Sequence, residues 1–176
     1  AAVANLGGAR VTGISNHLPN TETQNQFGMA KGVTKAQAQT DAQDQFDVVI
    51  TTANSWADWK LALQLARRGG QIIVLGFPGR DQSLPDFNPL ASQYFYDKQL
   101  RLAACGYIPN YDGPEIDIRF SMERNCAYLL DKIGAGRLPA AELVGALRPA
   151  KDLPDIYDGM VRNRTTAQTT VLDWRA

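Results

Sequence analysis

Two apolar runs rich in β-branched residues, Phe46–Thr52 (FDVVITT) and Gln71–Leu75 (QIIVL), bracket one amphipathic stretch. Val48, Val49 and Ile50 are consecutive, which is the pattern of a strand covered on both faces. Between the runs, Trp56, Trp59, Leu63 and Ala66 recur at helical spacing. Ser55 followed by Asp58 resembles a capping box with Asp in place of Glu. Arg67 and Arg68 are expected in the last helical turn, where cations complement the dipole, and Gly69-Gly70 is expected to stop the helix. A strand, a helix and a strand within about 30 residues make a βαβ unit. Such crossovers are nearly always right-handed, so the two strands are expected to be parallel.

The flanking segments extend this pattern. Ala1–Leu6 are helix formers stopped by Gly7-Gly8, and Ala9–Ile14 reads as a short buried strand. The sequence thus enters at the tail of a helix. From Ser15 to Gln45 it is polar; a weak helix over Thr21–Ala30, capped by Asn20 and ended by Gly32, is expected. Ala36–Asp44 (AQAQTDAQD) reads as a solvated connection. Asp97–Tyr107 reads as a third strand, with a polar mixture that suits a sheet edge. A boundary is expected at Ile108–Pro114. Beyond it, Met122, Cys126, Leu129, Leu130 and Ile133 mark a helix closed by Gly134 and Gly136. Leu143–Leu147 is a strand candidate, Leu153–Val161 a second amphipathic helix, and Gln168–Trp174 a terminal strand. Alternating strands and helices predict an α/β fold with a parallel sheet.

Composition removes several classes of function. Eighteen Lys and Arg balance 18 Asp and Glu, so the chain lacks the electrostatic footprint of a nucleic-acid binder. No apolar run approaches the roughly 18 residues of a membrane helix. Two cysteines, Cys105 and Cys126, are too few for a disulfide scaffold and lack CxxC spacing. They are expected to be buried small hydrophobes, in a reducing, cytoplasmic protein. The amino terminus lacks an initiator Met and a basic region before an apolar core, so it does not read as a signal peptide. His17 is the only histidine and there is no GxSxG, which leaves a Ser-His-Asp hydrolase little support. Asn163-Arg164-Thr165 matches a glycosylation sequon, read as coincidence.

The stretch DVVITTANSWADWKLALQLARRGGQIIVLGFPGR resembles one common to medium-chain dehydrogenases/reductases, the zinc-type alcohol dehydrogenase superfamily. An acidic residue opens an apolar strand; a helix, an Arg-Gly-Gly turn and a second strand ending in Gly follow. LLDKIGAGRLPAAELVGALRPAKDLPDIYDGMVRN and TTVLDW are similar to that superfamily's closing pattern. AAVANLGGARVTGIS looks like the end of its first Rossmann helix followed by its second strand. The resemblance implies a Rossmann-like parallel sheet over residues 1–107, without its first strand and glycine-rich turn. It also implies a small α+β carboxy-terminal segment, residues 108–176, that completes the catalytic domain. Asn5-Leu6-Gly7-Gly8 is not the phosphate turn, because it ends a helix.

In open parallel sheets, ligands bind beyond the carboxyl ends of the strands. The cofactor-binding candidates are therefore Ser15 and Asn16, then Thr52, Ala53 and Asn54, then Gly76 and Phe77, and finally Cys105. An acidic residue after the second Rossmann strand would bind the adenosine 2′-hydroxyl. Ser15, Asn16 and His17 stand there instead, so NADP is favoured over NAD. Asn54 is also a candidate helix cap, and glycine at 76 leaves room for close backbone approach. Catalytic residues are not assigned. No metal ligands are expected in this chain; zinc, where the family has it, comes with an amino-terminal portion not matched here. The implied function is part of an oxidoreductase moving a hydride between NAD(P) and an alcohol, carbonyl or enone. A small-molecule substrate is expected, with no nucleic-acid or membrane partner, and a homo-oligomer through the edge strand near 98–105. The competing readings are a stand-alone nucleotide-binding or dimerisation module and a methyltransferase-like domain.

Overall fold

The computed structural model describes residues 1–76, 79, 82–105, 121–162 and 169–175. The boundary expected at Ile108–Pro114, the sequon and Phe77 lie outside the described residues. Among these, no helix is long and apolar enough to cross a membrane.

A short helix α1 (Ala2–Leu6) ends at Gly7, with Gly8 at φ +81°, and leads into β1 (Val11–Ile14). Helix α2 (Thr21–Gln26) begins at Asn20, whose side chain accepts from the Thr23 backbone N–H at 2.8 Å, as predicted. It ends earlier than expected. Met29–Val33, which includes the Gly32 read as a helix stop, is a strand, β2, parallel to β1. The stretch read as a solvated connection is also ordered: α3 spans Lys35–Asp41. Thr34 and Gln37 form a reciprocal capping box at its start.

The βαβ unit folds as expected. Strand β3 (Phe46–Thr51) is followed by α4 (Trp56–Leu65), whose cap is Ser55, and then by β4 (Ala66–Val74), parallel to β3. One boundary differs. Arg67 and Arg68 lie at the start of β4, not in the last turn of α4. Phe46 pairs with Ala66 and Val48 with Gln71, so the Arg-Arg-Gly-Gly segment bulges between two in-register pairs. Gly69 has φ +73°, and its N–H donates to the Lys98 carbonyl at 2.7 Å. After a π-helical turn at Ser92–Tyr96, β5 (Arg101–Ala104) pairs with β4 at the edge of this sheet.

Two cores lie on the helix side of these strands. Ala62, Leu63, Ala66, Ile72 and Leu100 form one. Val33, Ala38 and Leu65 form the other, joined by Ile14, Phe46, Val49 and Leu61. This second core therefore holds β1 and β2 beside β3, although the two sheets share no strand pairing among the described residues. The opposite face of β3 corrects the expectation of two-sided cover: Val48 is 48% and Ile50 51% exposed.

The carboxy-terminal segment contains α5 (Met122–Gly134), a 3₁₀ turn at Ala140–Leu143, β6 (Ala146–Pro149), α6 (Leu153–Val161) and β7 (Thr170–Asp173). Strands β6 and β7 are parallel. The strand expected at Leu143–Leu147 begins only at Ala146, because Leu143 closes the 3₁₀ turn.

Candidate functional site

The carboxyl ends of β3, β4 and β5 lie side by side, because Thr51 pairs with Val74 and Val74 with Ala104. The Thr51 carbonyl accepts from the Leu75 N–H at 2.9 Å and from the Gly76 N–H at 3.2 Å. The Cys105 N–H donates to the Val74 carbonyl at 2.9 Å. Backbone pairing thus brings the turns at Thr52–Asn54, Gly76 and Cys105 to one edge of one sheet, as the sequence predicted. A Cβ on Gly76 would overlap the Ala53 and Thr52 carbonyl oxygens. Glycine is required there by the neighbouring turn.

Asn54 is not the helix cap. Ser55 takes that place, and its hydroxyl accepts from the Asp58 N–H at 3.1 Å. The same hydroxyl donates to Asp58 Oδ2 at 2.6 Å. The Asn54 carbonyl instead accepts from the Gly79 N–H at 2.6 Å, and the Gln82 side chain accepts from the Trp56 N–H at 3.0 Å. The chain following β4 thereby folds back over the start of α4.

Ser15 and Asn16 follow β1 in the neighbouring sheet. The Ser15 N–H donates to the Val33 carbonyl at 3.2 Å, and the Ser15 hydroxyl accepts from the His17 N–H at 3.1 Å. Asn16 Oδ1 accepts from the Lys35 N–H at 3.4 Å. No carboxylate stands at this turn.

A groove of about 180 Å³ runs between β1 and β3, lined by Thr12, Ile14, Lys35, Thr52, Ala53 and Asp58 among others. Sequence reasoning took Asp58 only for a capping residue and missed Lys35. Their side chains form an ion pair, with Lys35 Nζ 2.5 Å from Asp58 Oδ1. The Asp58 side chain is only 16% exposed. Burial raises its pKa, but hydrogen bonds from Lys35 and Ser55 and the nearby Lys35 charge outweigh burial and hold the carboxyl below its ordinary value.

The residues suit some ligands and not others. Hydroxyls, amides and backbone groups at strand ends are donors and acceptors for a nucleotide. Among the described residues no group of three His, Cys, Asp or Glu could hold a metal ion. Cys105 and Cys126, expected to be buried, are both exposed and unbridged.

No family sequence model matches the chain, and comparison with curated proteins gives no match. Solved structures do match. An alcohol dehydrogenase from a Thermus species is 21% identical, with a TM-score of 0.71 over 99% of this chain and 47% of its own. A cobalt- and zinc-bound thermostable alcohol dehydrogenase from Pyrobaculum aerophilum is 20% identical, with a TM-score of 0.66 over 90% of this chain and 41% of its own. An Escherichia coli alcohol dehydrogenase complexed with NADH is 14% identical, with a TM-score of 0.69 over 98% of this chain and 46% of its own. The chain thus spans less than half the length of each of these enzymes. Over that length it has the α/β fold of these alcohol dehydrogenases, as the sequence resemblance implied.

Proposed function

We propose that these residues form the greater part of a nicotinamide-nucleotide site in an oxidoreductase. The whole protein would move a hydride between NAD(P) and an alcohol, aldehyde, ketone or enone. One observation carries this reading: Thr52–Asn54, Gly76 and Cys105 are aligned along the carboxyl edge of one parallel sheet. Ligands of open α/β sheets bind at such an edge. The fold likeness to solved alcohol dehydrogenases supports it.

When bound, a nicotinamide cofactor supplies the hydride, and the protein supplies binding and orientation. Backbone groups of the turns after β3, β4 and β5 would hold the nicotinamide half. Ser15 and Asn16 would meet the adenosine ribose. With no carboxylate there, a 2′-phosphate meets no repulsion, which favours NADP over NAD. The chain has no GxGxxG turn opening a helix, so it lacks that device for cradling a pyrophosphate.

Titration of the purified chain with NADPH, NADH and S-adenosylmethionine tests the reading. Weak but saturable nicotinamide-nucleotide binding, tighter for NADPH, is expected, with no alcohol or enone turnover by residues 1–176 alone. Tight S-adenosylmethionine binding without nicotinamide binding would overturn it in favour of a methyltransferase-like domain.

A further inference from the structure

A preference for NADP needs an attraction as well as the absence of repulsion. Ser15, Asn16 and His17 follow β1, and none of them carries a permanent positive charge. The neighbouring strand supplies one. Ile14 pairs with Val33, and the Ser15 N–H donates to the Val33 carbonyl at 3.2 Å, so β1 and β2 end together. Asn16 Oδ1 then accepts from the Lys35 N–H at 3.4 Å. Lys35, 19 residues further along the chain than Asn16, therefore stands beside the turn proposed for the adenosine ribose.

These contacts all lie within β1, β2 and the turns that follow them, so they are independent of what fills the space between β1 and β3. The pair of Lys35 with Asp58 is not: it crosses the space where the implied first Rossmann strand belongs. The Lys35 backbone is fixed beside Asn16 whichever way its side chain turns, and that side chain is 40% exposed.

The surrounding groups suit a phosphate. The Ser15 hydroxyl accepts from the His17 N–H at 3.1 Å, which leaves its own hydrogen to donate. Asn16 turns its amide oxygen to Lys35, which leaves its NH2 group to donate. A lysine meets a phosphate as a point charge on a flexible stem. Glu22 is the only carboxylate in residues 1–40, against Arg10, Lys31 and Lys35, so this corner is positive in a chain of zero net charge.

We infer that Lys35 is the specificity-determining residue of the adenosine end. With Ser15 and Asn16 it forms a site for a phosphate on the ribose 2′ position, and its ammonium is what separates NADP from NAD. This inference rests on the nicotinamide-nucleotide reading above and adds to it a residue from a second strand.

Adenosine fragments test it without calling on a pyrophosphate site. 2′,5′-ADP and 5′-AMP, which differ only in the 2′-phosphate, are titrated into the chain by NMR at low and high salt, with NADPH and NADH alongside. The parent is expected to bind 2′,5′-ADP about tenfold more tightly than 5′-AMP, as one charge-assisted contact allows, with the preference falling as salt rises. Lys35→Gln should remove most of that preference by weakening 2′,5′-ADP alone, and Lys35→Arg should keep it. Asp58→Asn breaks the ion pair but retains the lysine, and should not weaken 2′,5′-ADP. Equal binding of the two fragments by the parent, or a preference that survives Lys35→Gln, would overturn the assignment of Lys35 and leave the nucleotide site standing. So would equal weakening of both fragments, or Asp58→Asn matching Lys35→Gln. A parent that binds neither fragment and neither dinucleotide would overturn the underlying reading, and the assignment with it.

Discussion

At Gly76 the side chain is excluded by protein. The carbonyls of Thr52 and Ala53 occupy the place a Cβ would take, so Gly76→Ala must push two turns of the site apart. Overpacking of this kind costs about 1–3 kcal/mol, and urea denaturation should show a loss in that range. Asp58 makes a different prediction. Its carboxyl is held below its ordinary pKa in the folded state, so the unfolded chain binds its proton more readily. The stability it contributes is therefore fully present above the unfolded carboxyl value of 3.8 and is lost as pH falls through the lower folded value. Asp58→Asn should lower stability at pH 7 and flatten its decline on acidification below about pH 4, as read by thermal melts across pH. Asp58 was visible in the sequence as a cap at the spacing Ser55–Asp58. Its partner was not, because the fold alone brings Lys35 across from another element.

At the scale of elements, local signals were legible wherever a side chain served its own segment. Asn20 and Ser55 start α2 and α4, and Gly8 and Gly136 take up positive φ just beyond α1 and α5. Strand β2 was missed because Met29–Val33 (MAKGV) has little strand propensity of its own; pairing with β1 makes it a strand. Helix α3 was misread although the Thr34–Gln37 capping box and its Ala and Gln residues announce a helix. There the biased composition of AQAQTDAQD outweighed the better signal. The end of α4 was decided from afar. Lys98 Nζ donates to the Leu63 carbonyl at 2.5 Å and the Gln64 carbonyl at 3.3 Å, and pairs with Asp44 at 2.6 Å. Its side chain is only 13% exposed. Lys98→Met keeps the stem and removes the charge, leaving the Leu63 carbonyl short of a donor, whereas the Gln64 carbonyl keeps the Asp44 N–H at 3.0 Å. A loss of about 2 kcal/mol is expected, the usual scale for a hydrogen bond to a charged group. Chemical denaturation checks it, and a loss near zero would show that water replaces the ammonium.

For the whole molecule, the order of strands and helices was readable because hydrophobic periodicity and chain order determine a parallel sheet. The break between β1–β2 and β3–β5 falls where a Rossmann-like sheet without its first strand is interrupted. The exposed faces of Val48 and Ile50 mark a limit: a β-branched run predicts a strand but not what covers it. The account rests on one spatial claim, that the turns after β1, β3, β4 and β5 act together as a nicotinamide-nucleotide site. NMR chemical-shift mapping during NADPH titration of the chain tests it most directly. Concerted, saturable shifts at Ser15, Asn16, Thr52–Asn54, Gly76 and Cys105 are predicted; shifts confined to α5 and α6, or none at saturating NADPH, would contradict it.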